Sequence, residues 1–153
     1  MRDRLDMLYN DPSSFSIKGP GTIGIILTVL AIGTQYAYLD SSNPNSTTKA
    51  TPVFSEDEVG TMFYQQAIKL LPEIIELSSL ESVQSCLLFG VYALTIDASG
   101  LGYIYINLAT RLAMQNGMHR NYSGEAFNPA MIETRNRIWW TAYTLERYTP
   151  NLN

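Results

Sequence analysis

Apolar residues recur at helical spacing along most of the chain, and the breaks between these runs carry turn chemistry of their own. The pattern predicts an all-α protein of five to six helices, arranged as an irregular multi-helix array of antiparallel helix pairs. The first run, Thr22 to Leu39, is eighteen residues without a charge. It reads as a buried helix, with a single membrane span as the alternative, because its length reaches the lower limit for crossing a bilayer. Gln35, Tyr36 and Tyr38 in its C-terminal half, and the lack of flanking Lys or Arg clusters, favour burial. A polar, turn-rich stretch with two prolines follows, so residues 40–54 are expected to form a loop within one domain.

A second helix is predicted to open at Ser55, whose side chain can cap the amide of Glu58 while Glu58 reaches back and Phe54 packs on Val59. Its inward face is read as Val59, Met62, Phe63, Ala67, Leu70 and Leu71, ending where Pro72 kinks or restarts the helix. Ser78 with Glu81 offers another capping box, for a helix through Val83, Leu87, Val91 and Leu94 that carries Cys86. From about Gly100 to Asn116, Leu101, Ile104, Tyr105, Leu108 and Leu112 form one apolar stripe and Tyr103, Ile106 and Ala113 another. Such a helix is expected to be central. Gly117 suits the left-handed residue that ends it, with Met118 packing back on Ala113. Asn128-Pro129 then caps and opens a last helix, with Ile132, Trp139, Ala142, Tyr143 and Leu145 inward.

Composition narrows the class. The 153 residues carry a formal net charge of −4, which argues against a DNA-binding module, since duplex affinity depends on Lys and Arg displacing counterions from phosphates. One cysteine, Cys86, and one histidine, His119, exclude an internal disulfide and a cysteine-rich zinc module within these residues. Residues 1–10 are mixed in charge and do not form a signal peptide, so secretion is not expected. The charge is unevenly spread: residues 111–147 hold five arginines and three acids, while residues 1–110 hold five basic and eleven acidic residues.

The chemistry-bearing patterns are few. Gly19-Pro20-Gly21-Thr22-Ile23-Gly24 matches the dinucleotide fingerprint by letter, but Ser13 to Lys18 is polar where a buried strand is required. A turn leading into a helix accounts for the glycines. His119 lacks a nearby nucleophile or carboxylate partner in sequence and is read as a helix-end residue interacting with the dipole. Glu56, Asp57 and Glu58 suit the first turn of a helix for the same reason. The basic and aromatic run from Glu133 to Arg147 could stack on single-stranded nucleic acid. Its four-residue spacing of Arg135, Trp139 and Tyr143 instead favours a core seam whose arginines pair with carboxylates on neighbouring helices.

Three segments taken together, SVQSCLL at 82–88, ATRLAMQNGMHR at 109–120 and RNRIWWTAYTLER at 135–147, are ordered and spaced as in one known family. They resemble the middle regulatory region, the fungal-specific transcription factor domain, of fungal transcription factors with a six-cysteine binuclear zinc cluster. Met118, Asn136 and Glu146 stand where that family more often has leucine, arginine and aspartate. Residues 1–153 are expected to form a single helical domain with residues 1–21 poorly structured. The resemblance, which covers about residues 77–147 and more loosely the two earlier helices, implies that this domain is regulatory, works in the nucleus and is not an enzyme. It also implies that Arg111, Gly117, His119, Arg120, Arg135, Arg137, Trp139, Trp140 and Arg147 are its motif residues. No cofactor is expected here; zinc and DNA contact belong to an upstream cluster that these residues lack. Protein co-regulators, a homodimer or a small-molecule effector are the partners it implies, with a small-molecule-sensing module as the alternative function. The family continues through further helices beyond the position of Tyr148, so a truncated member is expected, with Trp140 and Tyr148 left exposed.

Overall fold

A computed structural model describes residues 19–41, 56–121 and 127–148. Six helices account for nearly all of them: α1 (Pro20–Ser41), α2 (Glu56–Lys69), α3 (Leu71–Leu77), α4 (Leu80–Thr95), α5 (Ser99–Gln115) and α6 (Pro129–Tyr148). The described residues contain no strand, so the fold is all-α and built from packed helix pairs. It forms two compact units that divide between Leu71 and Pro72.

In the first unit α1 packs against α2. Pro20 opens α1 at a position where its missing amide proton costs nothing, and the carbonyl of Gly19 accepts from the amides of Thr22 and Ile23. Gly21 and Gly24 are buried residues inside α1, so these two fingerprint glycines lie within the helix itself rather than in a phosphate-binding turn ahead of it. Ile25, Ile26 and Ala31 are buried beside them, and the hydroxyl of buried Thr28 is satisfied by the Gly24 carbonyl at 2.7 Å. Among the described residues no helix is long and apolar enough to cross a membrane. The helix continues through Asp40 and Ser41, two residues into the expected loop; the rest of that loop and the Ser55 cap lie outside the described residues. On α2 the inward side chains are Tyr64 and Ala67, whereas Met62, expected inward, is 56% exposed. A helix this short can bury only one narrow stripe, and Gly60, Tyr64 and Ala67 lie on it at spacings of four and three.

Pro72 restarts rather than kinks the chain: α2 ends at Lys69 and α3 begins at Leu71. Ser78, expected to cap α4, instead ends α3 with a positive φ of 44°, its amide donating to the Ile74 carbonyl at 3.2 Å. The cap falls one residue later. Ser79 Oγ accepts from the Ser82 amide at 3.2 Å, and Ser82 Oγ accepts from the Ser79 amide at 3.0 Å, so a serine does what Glu81 was expected to do. A reciprocal box needs a side chain at the third helical position, and that position is Ser82 once the cap is Ser79.

Helices α4 and α5 form the core of the second unit, with Val83, Cys86, Phe89, Tyr92, Ile106, Ala109 and Leu112 buried. Their backbones meet at two glycines. A Cβ on Gly90 would lie 2.6 Å from Ile106 Cγ1 and 3.1 Å from the Gly102 carbonyl, and one on Gly102 would lie 3.1 Å from the Gly90 carbonyl. This contact sets the rotation of α5. The stripe expected inward is split: Tyr105 and Leu112 are buried, but Leu101 and Ile104 face outward, Ile104 with 59% of its surface exposed. Turning Gly102 toward α4 puts its neighbours Leu101 and Tyr103 on the other side. The helix is central in that α4 and α6 both pack on it, yet it keeps an exposed apolar face.

Candidate regulatory site

The site is built around the end of α5. Gly117 takes a φ of 66° and donates to the Met114 carbonyl, while Met118 donates to the Ala113 carbonyl and is buried, which is the predicted Schellman termination. Asn116, immediately before it, is a junction. Its side-chain amide donates to the Ser78 carbonyl at 2.7 Å and to the Leu112 carbonyl at 2.9 Å, and its own carbonyl accepts from Arg135 Nη2 at 2.6 Å. The segment before α4, the end of α5 and the start of α6 are thereby tied at one residue. No reading of the sequence isolates Asn116, because a hydrogen bond across 38 positions leaves no periodic trace.

Asn128 caps α6 as predicted, its Oδ1 accepting from the Met131 amide at 2.8 Å. Ile138 and Ala142 are the buried residues of this helix, while Ile132, Trp139, Tyr143 and Leu145, expected inward, are half-buried. An edge helix packed on one side covers a narrow strip, and rings this large overhang it. Trp140 is 61% exposed, as expected, and Tyr148 is exposed as well.

These constraints set out a connected surface array. Arg120 Nε donates to His119 Nε2 at 3.2 Å, and the His119 ring lies 5.7 Å from that of Trp139. Trp139 is 6.1 Å from Tyr143, Tyr143 meets Trp140 edge-on at 5.7 Å, and the Arg147 guanidinium stands 5.0 Å over the Tyr143 ring. Six residues from the sequence motifs thus lie in one ladder, with Arg120 and Arg147 at its ends. Arg135 sits beside it, 4.8 Å over the Phe127 ring.

The arginines do not work as expected. Arg135, whose spacing predicts a carboxylate partner on a neighbouring helix, instead engages a carbonyl, because the end of α5 presents unsatisfied carbonyl oxygens where its planar fork arrives. Arg137 pairs with Glu133 of its own helix at 2.6 Å, both side chains largely in solvent, and lies outside the ladder. Arg111 is exposed on α5 and makes no ion pair or side-chain hydrogen bond among the described residues.

Nothing in the array is arranged as a nucleophile with a base. The one thiol, Cys86, is buried in α4, and loss of solvent pushes it up to about 12, against an ordinary value of 9.0. That makes it a poor thiolate ligand. Among the described residues no group of three or more His, Cys, Asp or Glu side chains could hold a metal ion, so the residues present do not fit a zinc cluster.

Comparison with known proteins bears on the same motifs. Residues 4–150 match the fungal specific transcription factor domain. The chain is 29% identical over 152 residues to an uncharacterized transcriptional regulatory protein of Schizosaccharomyces pombe, covering 96% of this chain and 18% of that protein. It is 31% identical over 147 residues to Activator of stress genes 1 of Saccharomyces cerevisiae, covering 95% of this chain and 15% of that protein. A match to the thiamine repressible genes regulatory protein of Schizosaccharomyces pombe is 27% identical over 128 residues, 84% of this chain and 16% of the relative. The chain therefore spans less than a fifth of the length of these curated relatives. No solved structure matches it significantly.

Proposed function

The chain belongs to the fungal-specific transcription factor domain family, a regulatory domain of fungal zinc-cluster transcription factors and not an enzyme, and on that premise we propose that it controls transcription by RNA polymerase II through contacts made at the α6 ladder. It works in the nucleus and leaves DNA binding to a cluster that these residues, with one cysteine, do not contain. The observation that carries the reading is the Asn116 junction. Hydrogen bonds from Asn116 to Ser78 and from Arg135 to Asn116 fix α6 against the core and hold Trp140, Tyr143 and Arg147 at the surface, where a regulatory contact can be made or withheld.

A reporter assay tests it. The chain, fused to a heterologous DNA-binding module in yeast, is expected to change reporter transcription several-fold relative to the module alone, and Arg135→Ala is expected to abolish that change. Output indistinguishable from the module alone rejects the proposal. The isolated chain is also expected to show no sequence-specific DNA affinity; a salt-sensitive nanomolar complex with a defined site contradicts this.

A further inference from the structure

The ladder leaves Trp140 61% exposed, and its charge is opposite to that of the chain. Residues 116–148 hold four arginines and three glutamates, within a protein of formal net charge −4. Glu133 is already engaged by Arg137, and Glu146 is half-buried next to Arg147. An acidic partner is therefore repelled by most of this protein and drawn to this helix. The ladder also has the composition that carries binding energy at protein interfaces: Trp, Tyr and Arg, with large rigid rings anchored from below and cations at the rim.

From this arrangement we infer that the exposed face of α6 docks an acidic amphipathic helical segment of a partner protein. The inference rests on the regulatory reading above and names the chemistry of its partner. From Trp139 to Arg147 the helix rises about 12 Å, so a docked helix of two to three turns places apolar side chains on Trp140 and Tyr143. Its acids then meet Arg147 at one end and Arg120 at the other. A second copy fits less well, because a two-fold contact through this face sets Arg147 and Arg120 against their own like charges. Single-stranded nucleic acid also fits less well. Stacking on two rings is available, but a groove of cations that tracks a phosphate backbone is not, and the net charge opposes it.

Fluorescence anisotropy on the full chain decides among these. The probes are a fluorescein-labelled synthetic peptide with glutamate, leucine and phenylalanine at helical spacing, the same peptide with lysine for glutamate, and a labelled single-stranded oligonucleotide. The acidic peptide is expected to bind saturably, more weakly as salt rises, while the lysine peptide and the oligonucleotide do not bind. Trp140→Ala and Arg147→Glu are each expected to weaken binding about ten-fold or more with an unchanged far-UV circular dichroism spectrum. Arg120→Glu, at the opposite end and outside any helix, tests the same contact should either α6 variant unfold. Equal binding of the lysine peptide, tighter binding of the oligonucleotide, absence of binding, or binding indifferent to Trp140→Ala and Arg120→Glu overturns the inference. A chain that alters the reporter but ignores the acidic peptide rejects the acidic partner and leaves the regulatory reading standing.

Discussion

Arg135 Nη2 donates to the carbonyl oxygen of Asn116 at 2.6 Å, joining the first turns of α6 to the residue that caps the C-terminal end of α5. The contact is charge-assisted and half-buried, and the same guanidinium covers the Phe127 ring. It is the polar link that sets α6 on the core. The two buried side chains of that helix, Ile138 and Ala142, are too few to fix its position by apolar packing alone.

Replacing Arg135 by alanine is expected to destabilise the chain by about 1.5 to 3 kcal/mol, the range for hydrogen bonds to charged groups. Lysine restores less than full stability, because a single ammonium cannot serve both the carbonyl and the ring. Arg137→Ala, which removes an exposed pair with Glu133, costs at most about 1 kcal/mol. Urea unfolding of the three variants checks the order; equal losses at positions 135 and 137 contradict it.

Two turns make opposite demands at positive φ. Gly117→Ala forces an L side chain into φ 66° and is expected to cost about 1 to 2 kcal/mol, all of it from the backbone, since nothing lies within 4 Å of the added Cβ. Asp97, at φ 58°, ends α4 with the amide of Ala98 bonded to the Ala93 carbonyl, so Asp97→Gly is expected to raise stability by a few tenths of a kcal/mol or more. Opposite shifts in thermal midpoint are the readout.

Glycine to alanine changes should separate packing from propensity. Gly90→Ala and Gly102→Ala push a methyl into the facing helix and are each expected to destabilise by about 1 to 3 kcal/mol. Gly33→Ala, exposed in the middle of α1 with nothing within 4 Å, is expected to stabilise by about 0.5 to 1 kcal/mol. Calorimetric midpoints that fall for all three would show that α1 packs differently from this arrangement.

Burial of Cys86 predicts slow chemistry and a pH limit. The folded chain should resist alkylation by iodoacetamide until denaturant is added. Because burial raises the folded thiol to about 12 from 9.0, the folded state holds its proton over a range in which the unfolded chain has lost it. Stability from this group is complete below pH 9 and is lost as pH rises toward 12, by at most about 1.4 kcal/mol per pH unit. Cys86→Ala should flatten that part of the stability profile.

Much of this was legible in the residues. Helical periodicity, the Asn128 cap, the Gly117 termination and a break at Pro72 are local chemistry, each decided by a few neighbouring side chains and their backbone. The exposed position of Trp140 and the family motifs were legible too. Less legible were Ser79 in place of Ser78 as the cap of α4, where three serines within five positions offer equivalent hydroxyls. The choice depends on which residue ends α3.

What the sequence by itself determined is the helical class, the ends at Gly117 and Asn128, the family and the basic, aromatic character of α6, because these follow from short-range spacing and composition. What only the tertiary structure decided is which way each helix faces and which groups meet. Periodicity marks two apolar sides on α5 but cannot choose between them; the backbone contact of Gly90 with Gly102 chooses, and turns Ile104 outward. Charge counting pairs Arg135 with a carboxylate; the open carbonyl at the end of α5 takes it instead. Both outcomes depend on distances between residues far apart in the chain, which local pattern does not encode.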